Sequence, residues 1–133
     1  MECFLGLANL FRSVESGSRF MEIFKNEKKR TLVPSDTATV HEYDTHDGFV
    51  SGAVAEIRGR YPAKGFVINT KIKELVYVLS GEGTVITVGG DDHVKAGDVV
   101  FVDHGEKFAW DGAMDLFIAT TPSFDLNQYI EIE

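Results

Sequence analysis

Glu74 has the most chemically suggestive surroundings in the chain. It closes the run Asn69-Thr70-Lys71-Ile72-Lys73-Glu74, so one carboxyl stands among two ammonium groups and an amide. A carboxyl within reach of an amine can trade protons with a substrate as acid and base, which makes Glu74 with Lys71 or Lys73 a candidate catalytic set. The same residues also suit an ion pair that only orders a strand. The balance of two opposing effects decides the chemistry: desolvation among apolar neighbours raises a carboxyl pKa, whereas a neighbouring ammonium lowers it. Farther on, Phe108 and Trp110 fall on one side of a short strand by period-two alternation. Aromatic walls with a few polar groups hold small polar molecules, so Asn69, Lys71, Glu74, Phe108 and Trp110 form the candidate ligand-binding set.

The histidines make weaker candidates. His41, Asp44, His46 and Asp47 bring imidazole and carboxylate together as zinc or iron sites do. They straddle a predicted strand end and the Asp47-Gly48 turn, where polar residues serve solvation alone, and that reading carries more weight. His93 and His104 fall at other predicted turns. Arg58, Arg60, Tyr61 and Lys64 could reach an anionic ligand, but a solvated loop explains them as well. The glycines of Gly81-Glu82-Gly83 are read as a hairpin turn, with no helix behind them to make a phosphate cradle.

These residues need elements to hold them. From Thr37 onward, short runs rich in β-branched and aromatic residues alternate with Gly and Asp punctuation, including Leu75–Leu79, Thr84–Val88, Val99–Val102, Phe108–Trp110 and Ala113–Thr120. That rhythm predicts an all-β sandwich or barrel over residues 37–133. Residues 1–36 differ. Met1, Phe4, Leu5, Leu7, Leu10 and Phe11 recur at helical spacing, and a second, weaker helix is predicted from Ser18 to Arg30. The expected organisation is a helical N-terminal arm followed by one β-domain, the arm packing on the barrel or on a partner subunit.

Composition narrows the function. With 133 residues and 44% hydrophobic content, the chain can bury one core. Its net charge of −8 repels polyanions, so no nucleic-acid partner is expected. The charge is uneven: residues 1–30 hold six basic and four acidic residues, against seven and seventeen in the rest. No run is long and apolar enough for a membrane span, and Met1 to Phe11 has no basic n-region of a secretory signal. The single Cys3 leaves no internal disulfide framework and points to a reducing compartment, hence a cytoplasmic protein.

Two stretches carry a family resemblance. Glu74-Leu-Val-Tyr-Val-Leu-Ser-Gly81 resembles the second half of the first cupin motif, a glutamate followed after six residues by a glycine. Gly97-Asp-Val-Val-Phe-Val-Asp103-His-Gly105-Glu-Lys-Phe108 is similar to the second motif in frame, with Phe108 where that motif has its histidine. The resemblance, over roughly residues 49–122, is to small single-domain cupins of the cupin 2 type. It implies a double-stranded β-helix, or jelly-roll barrel, of the kind often paired into homodimers. Metal-dependent cupins use two histidines and a glutamate from the first motif and a histidine from the second. Of these only Glu74 is present, so no metal and no other cofactor are expected.

The residues therefore leave several functions open. The first is metal-independent binding of a small molecule, such as a carbohydrate or carboxylate, in the barrel mouth. The second is a metal-free isomerase, epimerase or lyase using Glu74 with Lys71 or Lys73. The third is an oligomeric scaffold built on the apolar arm and the aromatic tail from Pro122 to Tyr129.

Overall fold

The computed structural model describes residues 21–133. The helix expected over Met1 to Phe11 lies outside the described residues, as does the start of the second. After Met21 the chain makes one 3₁₀ turn at Asn26–Lys28 and enters a strand at Arg30. The nine strands are β1 (Arg30–Ser35), β2 (Ala38–Tyr43), β3 (Ser51–Arg58), β4 (Phe66–Asn69), β5 (Lys73–Thr87), β6 (Gly90–Lys95), β7 (Val99–Val102), β8 (Lys107–Thr121) and β9 (Tyr129–Ile132). A 3₁₀ turn at Leu126–Gln128 precedes β9. Strand β1 thus falls inside the stretch expected to be helical. It pairs with β2 through a two-residue turn, and its Pro34 is tolerated because β1 is an edge strand.

All β pairings are antiparallel, and they divide into two layers joined by β5 and β8. In one layer the order is β1-β2-β3, then the C-terminal half of β8, the N-terminal half of β5, and β7. In the other it is β9-β4, the N-terminal half of β8, the C-terminal half of β5, and β6. Two layers curled around one core make a jelly-roll barrel.

Strand β5 runs straight through Gly81-Glu82-Gly83, the expected hairpin turn, and β8 runs through Asp111-Gly112. There Gly83 pairs with Gly112 and Gly81 with Met114. A Cβ on Gly83 would meet the Asp111 carbonyl oxygen at 2.4 Å, and one on Gly112, where φ is +139°, would meet Gly83 Cα at 2.6 Å. The glycines let the two backbones bend together from one layer into the other.

Alternation fills the space between the layers. On β5, Glu74, Val76 and Val78 point inward while Leu75, Tyr77 and Leu79 point out. Ala55, Ile57, Met114 and Leu116 complete that layer's inner face, and Val67, Val85, Val94, Phe108 and Trp110 face them from the other.

Candidate functional site

The polar part of the interior is an oriented chain of side chains ending on Glu74. Gln128, placed by the 3₁₀ turn before β9, accepts through Oε1 from the backbone N–H groups of Lys71 (3.1 Å) and Ile72 (3.2 Å). Those two fixed donors turn the Gln128 amide so that its Nε2 donates to Asn69 Oδ1 at 2.9 Å. Asn69 is then committed to donating, and its Nδ2 reaches Glu74 Oε2 at 2.7 Å. Asn69 is fully buried and Glu74 is 6% exposed. Burial pushes the Glu74 carboxyl above its ordinary pKa, and the bond from Asn69 opposes that shift only in part.

Two phenols stand beyond this carboxyl. Tyr129 lies opposite Asn69 in the β4–β9 ladder, so the two share a face. Its hydroxyl is 2.8 Å from that of Tyr61, which also donates to Glu131 Oε1 at 3.5 Å. Burial raises the pKa of both phenols, and the charge of Glu74 adds to the effect on each. Tyr61 and Glu131 open onto a surface groove of about 440 Å³, lined also by Pro34, Pro62 and Lys64. In the layer of Glu74 itself, Thr120 is its neighbour across the β5–β8 ladder, and the Thr120 hydroxyl is 2.6 Å from that of Ser51.

The lysines expected beside Glu74 are elsewhere. Strand β5 keeps its register from Lys73 to Val78, so Lys73 points away from the core, and its ammonium lies 3.6 Å from Asp103. The His104 backbone N–H first, and Lys73 after it, hold the Asp103 carboxyl below the usual carboxylate range. Lys71 is exposed and contributes only its backbone N–H to the buried chain. Neither lysine is therefore placed to be the acid–base partner of Glu74, and Lys71 is not placed to bind a ligand beside it. Asn69 takes that position. Phe108 and Trp110 are buried, edge to face with ring centroids 6.2 Å apart. Phe108 fills the core at the position of the second-motif histidine.

The basic loop is mostly structural. Arg58 pairs with Asp115 at 3.0 Å, while the Arg60 guanidinium donates to the carbonyls of Pro62 and Gly65. Tyr61 turns inward and Lys64 lines the groove. Sequence reasoning missed Gln128, Tyr129 and Glu131 as parts of the site. The alternation of Tyr129 and Glu131 with Ile130 and Ile132 was the available signal.

The family model of EutQ-like cupin domains matches residues 57–114. The solved structure of Pac13, a nucleoside dehydratase from Streptomyces, superposes with a TM-score of 0.77 at 14% identity, covering 85% of this chain and 92% of that one. The chain has the cupin fold. KdgF from Halomonas sp. matches this chain with a TM-score of 0.66 at 15% identity, over 80% of this chain and 99% of that one. The EutQ protein of Clostridium difficile gives 0.56 at 19% identity, over 68% and 66% of the two chains. At these identities the likeness establishes the fold. No curated protein matches the sequence.

Many cupins carry a metal in the barrel, and the donors here do not fit one. Glu74 is accompanied by the Asn69 amide, a threonine hydroxyl and phenols, with no imidazole, and one of its oxygens is taken by Asn69. The histidines are engaged away from the interior: His41 with Glu56, His46 with Asp44, His93 with Glu82 and His104 with Asp103. Asp47 accepts from the backbone N–H groups of Phe49 and Val50, stabilising the turn. Among the described residues no three His, Cys, Asp or Glu side chains gather into a metal-binding cluster, and no helix is long and apolar enough to cross a membrane.

Proposed function

We propose that this cupin binds a small hydroxylated or carboxylated molecule without a metal, at the barrel end where Tyr61 and Glu131 meet the groove. The observation that carries this reading is the Gln128–Asn69–Glu74 chain, whose donors and acceptors are fixed from the backbone outward. A pre-oriented set of that kind recognises a polar ligand with little reorganisation. Glu131 and the two phenols offer acceptors and donors for hydroxyl groups, and Lys64 offers a cation for a carboxylate. The reading includes no nucleic-acid or membrane partner, and a cytoplasmic location supported by the single cysteine.

One observation favours a second reading, a metal-free lyase. Burial holds Glu74 towards its proton-bearing form, the state a general acid needs, and the two phenols are near enough to feel its charge. Tyr61 and Tyr129 replace Lys71 and Lys73 in that scheme. Similarity in fold to a nucleoside dehydratase, one variant of which was solved with uridine, adds nucleosides to the ligands worth testing.

A thermal-shift screen over nucleosides, sugars, sugar acids and small carboxylates tests the binding reading. A ligand should raise the melting temperature of the native protein, and the rise should shrink in Tyr61→Phe. No rise at millimolar concentration with any class would remove the binding reading. Turnover of a bound compound that Glu74→Gln abolishes would establish the lyase.

A further inference from the structure

The outer face of the first layer carries a group of exposed large apolar side chains. Register places its residues in two rows across five strands. One row runs Phe101, Leu75, Ala119, Gly52 and Tyr43 from β7 to β2, and the next runs Val99, Tyr77, Phe117, Val54 and His41. Directly opposed residues of an antiparallel pair project to the same side, so these side chains form one patch. Exposure among its large apolar members runs from 40% at Phe117 to 59% at Val99 and Phe101, with Leu75 and Tyr77 between. Contiguous patches of this kind mark interaction sites, whereas scattered exposed apolar residues do not. The His41–Glu56 and Arg58–Asp115 pairs provide a polar rim.

The chain itself indicates what covers the patch. Phe24 is one wall of a groove of about 490 Å³ on this face, lined also by Tyr43, Val50, Val54, Phe117 and Ala119. The chain preceding Phe24 therefore begins at the patch. Residues 1–20 contain Phe4, Leu5, Leu7, Leu10 and Phe11 at helical spacing, and their two basic and two acidic residues cancel. As a helix, twenty residues would run about 30 Å. Five strands at about 4.8 Å spacing are crossed in roughly 19 Å. The segment is long enough to reach from the groove over β8 and β5 to β7.

We propose that residues 1–20 dock on the outer β2-β3-β8-β5-β7 face of their own barrel, continuing the contact that Phe24 begins.

The single native thiol, Cys3, makes this testable in the full chain. Phe101→Cys puts a second thiol at the far edge of the patch, and Lys64→Cys puts one at the groove of the other layer. Under mild oxidation the first variant should form an intrachain disulfide at least tenfold faster than the second. Equal rates would overturn the proposal, and so would a Phe101→Cys disulfide that links two chains and fades on dilution, since a second copy would then cover the face. A companion variant leaves the face intact: Phe4→Asp with Phe11→Asp should raise binding of an apolar-surface dye several-fold while the cooperative melt is kept. Unchanged dye binding would equally refute the docking.

Discussion

Replacing Gln128 by methionine keeps the length and roughly the volume of the side chain while deleting both of its polar ends. The Oε1 acceptor serves the backbone N–H groups of Lys71 and Ile72, and Nε2 serves Asn69 Oδ1. Lys71 is near solvent, so its N–H can recruit water. Ile72 and Asn69 are buried and cannot do so without a local opening. Leaving a buried donor or acceptor unpaired costs about 1–3 kcal/mol, so two of them predict a loss of roughly 4 kcal/mol. Against a total stability of about 5–15 kcal/mol that is a large fraction. For a domain of this size it corresponds to a melting temperature lowered by roughly 10–20 °C. Urea unfolding followed by circular dichroism gives the free energy directly. Asn69→Leu in the same background removes the orphaned amide together with its missing partner, so the double variant should be less destabilised than the two single losses combined, by about 1–2 kcal/mol. A loss below about 1 kcal/mol in Gln128→Met, or strict additivity in the double variant, would refute the idea of an oriented chain.

Three further outcomes follow from the same geometry. Because burial raises the Glu74 pKa, the folded state loses stability as pH rises from the unfolded value through the folded one; Glu74→Gln should lack that component, so its stability relative to the native chain should improve from pH 5 to pH 8 in urea titrations. Asn69→Leu removes the hydrogen bond that lowers this pKa, so the Glu74 carboxyl should titrate higher still when followed by ¹³C NMR. Gly112→Ala should cost about 3 kcal/mol or more, or abolish folding, because its Cβ has no room beside Gly83; a substitution tolerated within 1 kcal/mol would show that the bend can relax.

The barrel was legible because alternation and turn punctuation are local properties of sequence. Leu75 to Leu79 reads as a strand from its β-branched and aromatic residues, although five apolar residues in a row do not say which face is inward. Punctuation misled where glycine serves a different purpose: at Gly81–Gly83 and Gly112 it permits two backbones to approach in mid-strand, and a turn has the same local signature. Sequence alone does not fix the parity of Lys71 and Lys73, since one bulge before Glu74 would invert it, and β5 has its irregularity later, between Val78 and Ser80. The rest of the site comes from Gln128, Tyr129 and Glu131, which reach β4 and the Lys71–Ile72 backbone only through long-range pairing. No local pattern encodes that meeting. Strand β1 was hidden for a similar reason, since Arg30-Thr-Leu-Val-Pro-Ser35 is almost wholly exposed, carries a proline and is held only by β2.

The bent ladder of β5 and β8 also bears on how the chain finds its fold. Its partners nest inside one another, from Thr87 with Phe108 out to Lys73 with Thr121. The first contact closes only the intervening β6–β7 segment, and each later pair lengthens no loop appreciably, so the entropic cost of closure is met once and the ladder can zip towards its open end. Gly83 and Gly112 sit along that route, where a stiffer backbone would stall the zipper halfway. A barrel rich in long-range contacts, which folds slowly by topology alone, thus has one nucleus through which both layers can be recruited in a single pass.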